Sequence, residues 1–245
     1  MDKIFNLSGR TALVTGSSQG IGFEIAKILA EHGAKVYVHG ATNIEKCRRS
    51  SDLIPNSVPV CQTLAAPDGA DRLYQMTGDV DILVANASVQ YRNAWSNITS
   101  EEFDEQVLVN FKSTLRLFQL YAPNMQKNNW GRLVAVGSVQ QYKPHKDMAV
   151  YAATKSAQMS LVENLAKQLA PCGITVNNLS PGVIATPRNA DALADEKYRE
   201  LVLSGIPAGF AGEASDCAAA ALLLCSDGGR YITGTDLIVD GGMHL

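Results

Sequence analysis

Cysteine is scarce in this chain and poorly placed for crosslinking. There are five in 245 residues, Cys47, Cys61, Cys172, Cys217 and Cys225, an odd number with no C-x-x-C spacing. That pattern argues against a disulfide framework or a thiolate zinc site and suits a reducing compartment. The four histidines, His32, His39, His145 and His244, include no H-x-x-x-H pair, so metal ligation has no support. Long apolar runs are missing as well. The longest, Ala218 to Cys225, falls far short of the ~20 residues needed to span a bilayer, and Met1 to Arg10 lacks an apolar signal core. No membrane partner is expected, and the expected location is the cytoplasm. The Asn-x-Ser/Thr triplets starting at Asn6, Asn97 and Asn178 then read as chance. An excess of positive charge is also lacking: 21 Lys and Arg stand against 24 Asp and Glu, which makes nucleic acid an unexpected partner. Twenty glycines and nine prolines are too few for a fibrous or low-complexity chain.

What is present is an alternation of apolar strands and amphipathic helices. Strand patterns occur at Thr11 to Thr15, Lys35 to His39, Val58 to Cys61, Asp81 to Ala85, Arg132 to Val136, Thr175 to Leu179 and Asp236 to Asp240. In the first helical pattern, Ile21, Ile25, Ile28 and Leu29 recur at steps of three and four, and Gly33 ends it. Strands that are apolar on both faces and joined by helices need right-handed crossovers. The expected fold is therefore an α/β, Rossmann-like doubly wound parallel sheet of about seven strands with helices on both faces. With no linker or internal repeat, residues 1–245 read as one dinucleotide-binding and catalytic domain, and the Pro- and Gly-punctuated segment 186–210 reads as a substrate lid.

The first strand runs into Thr15-Gly-Ser-Ser-Gln-Gly-Ile-Gly22 just before the first helix. Glycines there let the backbone turn sharply, and the free N–H groups at the helix start favour a pyrophosphate. Gly16, Ser18, Gln19, Gly20, Ile21 and Gly22 are therefore candidate coenzyme contacts. The alternative is a glycine turn that serves packing alone. Tyr151 and Lys155 lie four apart at the start of a long helical pattern and share a face, so an ammonium near a phenol would favour the phenolate. Ser138 follows the fifth strand at the carboxyl edge of the sheet, where ligands bind in such folds. Each of these residues alone would be ordinary: a surface pair, a turn serine.

The G-x-x-x-G-x-G spacing, Asn86-Ala87-Ser88 after the fourth strand, Ser138, Tyr151-x-x-x-Lys155 and Pro181-Gly182 after the sixth together resemble the short-chain dehydrogenase/reductase family, over essentially the whole chain. The resemblance implies an NAD(P)-dependent oxidoreductase that interconverts a secondary alcohol and its ketone. In it Tyr151 moves the proton, Ser138 orients the substrate oxygen, Lys155 also binds the nicotinamide ribose, and Asn110 holds a relay water. It further implies coenzyme contacts at Gly40, Ala41, Thr42, Asn86, Ala87, Tyr151, Lys155, Pro181, Gly182, Val183 and Thr186. No carboxylate stands after the second strand, in His39-Gly-Ala-Thr-Asn43, so NADP is preferred over NAD, although Gln19 replaces an arginine common in NADP-using relatives. Two further departures are Ser88, where the family pattern ends in glycine, and Thr63, where an aspartate is usual. Arg92, Lys143, His145 and Arg188 could meet a carboxylate or polyol, but basic side chains of this kind are usually solvated. The helix that carries Tyr151 is apolar nearly all round, with Leu161, Leu165 and Leu169 in one stripe, which together with the resemblance implies a homotetramer. An enoyl reductase would space tyrosine and lysine more widely, and a sugar epimerase would need a larger C-terminal domain. A non-catalytic nicotinamide-binding sensor or scaffold remains the alternative of a different class.

Overall fold

The computed structural model describes residues 3–190 and 194–245. Seven parallel strands form one sheet in the order β3-β2-β1-β4-β5-β6-β7. They are β1 (Thr11–Val14), β2 (Lys35–Gly40), β3 (Ser57–Cys61), β4 (Ile82–Ala85), β5 (Gly131–Val136), β6 (Ile174–Pro181) and β7 (Asp236–Val239). Every strand expected from the apolar runs is present, with ends shifted by no more than two residues. The helices are α1 (Gly20–Glu31), α2 (Ile44–Ser51), α3 (Gly69–Thr77), α4 (Ser100–Gln106), α5 (Ser113–Lys127), α6 (Ala149–Leu169), α7 (Glu196–Ser204) and α8 (Ala214–Cys225). Of the segment expected to act as a lid, residues 191–193 lie outside the described ones, and α7 occupies much of the rest.

Neighbouring residues along a strand point to opposite faces, so the sheet is buried twice. Val14, Val38, Val84 and Val134 meet Ile25 and Leu29 of α1 and Ala221 and Leu224 of α8 on one side. Leu13, Leu83, Leu133 and Val176 meet Leu73 of α3, Leu117, Phe118 and Tyr121 of α5, and Val162 of α6 on the other. Each fully buried aliphatic or aromatic side chain contributes roughly 1.5–3 kcal/mol through loss of contact with water. These two apolar layers fix the strand ends against one another and so fix the site. The chain reverses winding direction between β1 and β4, which opens a crevice beyond their carboxyl ends.

One local departure from the expected pattern matters. Between α4 and α5 the helix widens to a π-helical segment, Val107–Lys112, with Asn110 inside it. Such bulges reaim side chains and cluster at functional sites. Here the amide of Asn110 turns onto the chain after β4: its oxygen accepts from the Val89 N–H at 2.9 Å, and its nitrogen donates to the Val89 carbonyl at 2.9 Å and to Thr154 Oγ1 at 3.2 Å.

Candidate active site

A cleft of about 490 Å³ runs along the carboxyl edge of the sheet. Its floor begins at the turn between β1 and α1. Gly16 and Gly20 have φ of +66° and +59°, which a side chain at Cβ would oppose. Gly22 is required for a different reason. A Cβ on it would lie 2.4 Å from Asn86 Nδ2 and 2.6 Å from the Gly16 carbonyl oxygen. Asn86 reaches across the winding reversal to clamp the turn, donating from Nδ2 to the Thr15 carbonyl at 2.8 Å and the Gly16 carbonyl at 3.2 Å. Thr15 Oγ1 answers by accepting from the N–H groups of Asn86 at 3.0 Å and Ala87 at 2.9 Å.

His39 is the second clamp, and sequence reasoning treated it only as the end of a strand. It is 1% exposed; Nδ1 accepts from the Gly16 N–H at 3.0 Å, and Nε2 lies 2.7 Å from the Gln62 carbonyl. An acceptor on one side and a donor on the other require the neutral ring. Burial agrees, pulling its pKa from 6.5 down to about 4 despite the opposing bond to Gln62. The only sequence signal was a lone histidine in an otherwise apolar strand.

The first turn of α1 fits a pyrophosphate. Its N-cap, Gln19, makes no side-chain capping bond, so the leading N–H groups have no such partner and lie beside the cleft. The adenosine end is bounded by Gly40, Ala41, Thr42 and Thr63. No carboxylate faces that end from the β2 terminus, and Lys46 Nζ donates to Oε1 of Gln19, which lines the cleft. These residues fit a coenzyme with a 2′-phosphate. All seventeen expected coenzyme contacts line this one cleft, as do Ser138, Tyr151 and Lys155. Asn110 does not line it; its side chain is taken up by Val89 and Thr154, and it acts from behind as a positioning residue.

At the catalytic end α6 presents Tyr151 (6% exposed) and Lys155 (1%). Lys155 Nζ donates to the Val136 carbonyl at 2.7 Å and lies 5.5 Å from the Tyr151 ring centre. Ser138 begins a short 3-10 turn, its hydroxyl oxygen accepting from the Gln140 N–H at 3.2 Å, which leaves the hydroxyl proton to donate. Burial pushes the Tyr151 phenol above its ordinary pKa; the Arg188 charge, then hydrogen bonding towards Ser138, Ser88 and Arg188, pull it back. Burial also lowers Lys155 to about 7, with repulsion from Arg188 adding to it. Lys155 is anchored on a strand carbonyl beside the phenol, and Arg188 adds a second cation that favours the phenolate.

Of the four basic residues weighed for contact with substrate and expected to be solvated, two line the cleft, Arg92 and Arg188. Lys143 turns away to the Met243 carbonyl at 3.0 Å. His145 folds onto its own loop, where Nδ1 accepts from the Asp147 N–H at 3.2 Å.

Comparisons with known proteins agree over the full length. Residues 16–244 match the family model described as enoyl-(acyl carrier protein) reductase. The 3-oxoacyl-[acyl-carrier-protein] reductase FabG of Vibrio cholerae is 36% identical over 245 residues, covering 98% of this chain and 99% of the relative. Among solved structures, the 3-oxoacyl (acyl-carrier-protein) reductase of Agrobacterium tumefaciens with NADP bound superposes with a TM-score of 0.94 at 35% identity, covering 98% and 96% of the two chains. A gluconate 5-dehydrogenase from Burkholderia cenocepacia, in complex with NADP and tartrate, gives 0.90 at 30% identity, covering 98% and 97%.

Proposed function

This chain belongs to the short-chain dehydrogenase/reductase family, and on that premise we infer how its own residues interconvert a secondary alcohol and its ketone. It is an NAD(P)-dependent oxidoreductase with NADP preferred, and the non-catalytic alternative finds no support. The observation that carries the catalytic assignment is the convergence of Ser138, Tyr151 and Lys155 on the cleft that also contains the glycine turn. The bound coenzyme supplies the hydride in reduction and accepts it in oxidation.

In reduction, the Ser138 hydroxyl donates to the carbonyl oxygen and holds it against Tyr151. As charge develops on that oxygen, the phenol proton transfers to it and the alcohol forms. The nearby guanidinium of Arg188 favours the phenolate left behind. Lys155, near neutral pKa, holds the ribose and returns the proton from solvent. Asn110 fixes the chain at Val89 and the helix at Thr154, so the tyrosine stays aimed. The i,i+4 spacing of Tyr151 and Lys155 favours reduction of a ketone over that of an enoyl group.

Residues 186–210 act as a lid over this end, in a single catalytic domain of 1–245. A homotetramer in the cytoplasm completes the reading: Leu161 and Leu165 stay half-exposed on α6, as does the whole of edge strand β7, which suits a second subunit. Among the described residues no helix is long and apolar enough to cross a membrane.

The decisive assay follows NADPH and NADH consumption by the purified protein across a panel of ketones and keto acids. Tyr151→Phe is expected to lower kcat about 10³-fold with coenzyme affinity preserved. Near wild-type turnover by that variant would overturn the catalytic assignment. Sedimentation as a monomer at micromolar concentration would overturn the assembly.

A further inference from the structure

Basic residues on a surface loop usually point to water, and Arg188 begins as one of these. It follows the turn after β6, and its residue is exposed overall. Its guanidinium nevertheless folds back into the cleft. Nη1 donates to Ser88 Oγ at 2.9 Å and Nη2 to the Ser88 carbonyl at 2.8 Å, so one serine grips two edges of the fork. Position 88 is where this chain departs from the family pattern by carrying a side chain, and the departure supplies the hydroxyl that seats the arginine. Both anchors are neutral. Among the described residues neither Arg188 nor Arg92 has a carboxylate within 4.0 Å, although eight Lys or Arg side chains pair with carboxylates elsewhere.

Two guanidinium groups thus line the cleft that also holds Ser138 and Tyr151. Arg92 is held loosely, its Nη1 3.5 Å from the Tyr198 hydroxyl on α7. A guanidinium with N–H groups left over after its neutral anchors is a fork shaped for a planar anion, which it binds through paired charge-assisted hydrogen bonds. The anion has to be short, because Ser138 and Tyr151 hold the reacting oxygen in the same space.

Resting on the dehydrogenase reading above, we propose that Arg188, seated by Ser88, selects substrates that carry a free carboxylate one or two carbons from the reacting carbonyl or alcohol, with Arg92 as a second cation at the cleft mouth. The substrate class is then the short keto acids and their hydroxy-acid partners, rather than neutral ketones. Bound carboxylate also accounts for the charge: it gives the cation beside the phenol a counter-ion that none of the described residues places within 4.0 Å.

The test compares 2- and 3-keto acids of four to six carbons with their methyl esters, using NADPH and the intact protein. The wild type should favour acid over ester by roughly 100-fold in kcat/KM. Arg188→Met slows acid and ester alike through the phenol, but should lower kcat/KM for the acid at least tenfold more than for the ester and so erase that preference, with the KM for NADPH nearly unchanged, and Arg188→Lys should restore part of it. Malonate should inhibit the wild type competitively against the keto acid and the Met variant at least tenfold less. Equal use of acids and esters by the wild type overturns the proposal while the dehydrogenase reading stands. A rise in KM for NADPH in Arg188→Met as large as that for the acid also overturns it, placing the guanidinium on the coenzyme. If NADPH binds but no carbonyl compound is reduced, the dehydrogenase reading falls and the proposal falls with it.

Discussion

The two ends of the cleft are built from different materials. At the coenzyme end nearly every contact is made by backbone or by short buried side chains: Thr15 and Asn86 lace β1 to β4, and His39 ties the glycine turn to the chain after β3. At the substrate end the contacts come from long side chains on loops, Arg188 onto Ser88 and Arg92 towards Tyr198. The first kind of construction is rigid and costly to alter, since each group satisfies a buried partner. The second can change specificity with little effect on the fold. Substitutions should therefore separate the two ends: those at the coenzyme end should move stability and affinity together, and those at the substrate end selectivity and turnover without stability.

The largest effect on that contrast is expected from pH acting on His39. Its folded pKa of about 4 lies below the 6.5 of the unfolded chain, so between these values the unfolded state takes up the proton first. The stability contributed by the neutral ring is complete above pH 6.5 and is lost as pH falls towards 4, by about 3 kcal/mol. Urea denaturation across that window should show the loss in the wild type and a smaller one in His39→Gln. Equal slopes would make His39 a bystander.

Gly22→Ala comes next. The added methyl would sit against Asn86 Nδ2 and the Gly16 carbonyl, so a loss of about 1–3 kcal/mol and weaker NADPH binding should appear in the same variant. Thermal unfolding and coenzyme titration check it; an unchanged melting temperature would break the comparison. Lys46→Glu should be milder, raising KM for NADPH about tenfold relative to NADH, because a carboxylate would then face the 2′-phosphate. Steady-state kinetics with both coenzymes decides it. Smallest is Ser88→Gly, which removes one anchor of Arg188 and should reduce any acid-over-ester preference about threefold without moving the melting temperature.

Much of this was legible in the sequence, and for a physical reason. The strands declared themselves because a doubly covered parallel sheet requires apolar runs, and the glycine turn because a positive φ leaves little choice of residue. Tyr151 and Lys155 could be paired because a helix brings residues four apart onto one face. Asn110 enters through the family resemblance alone, since neither the π-helical widening nor the turn towards Val89 leaves a trace in a periodicity. His39 could not be singled out, since its partners Gly16 and Gln62 are 23 residues away on either side.

The sequence by itself determined the order of strands and helices, the glycine turn that fits a pyrophosphate and the residue types of the proposed proton-transfer group. All of these depend on local geometry, which a stretch of a few residues carries with it. Only the tertiary structure decided that a second charge acts on the phenol. Lys155 is near Tyr151 in sequence, and the helix keeps it there, whereas Arg188, 37 positions away by the numbering, reaches the same group through the fold. Electrostatic influence follows distance through space and exposure to water, and neither is written along the chain.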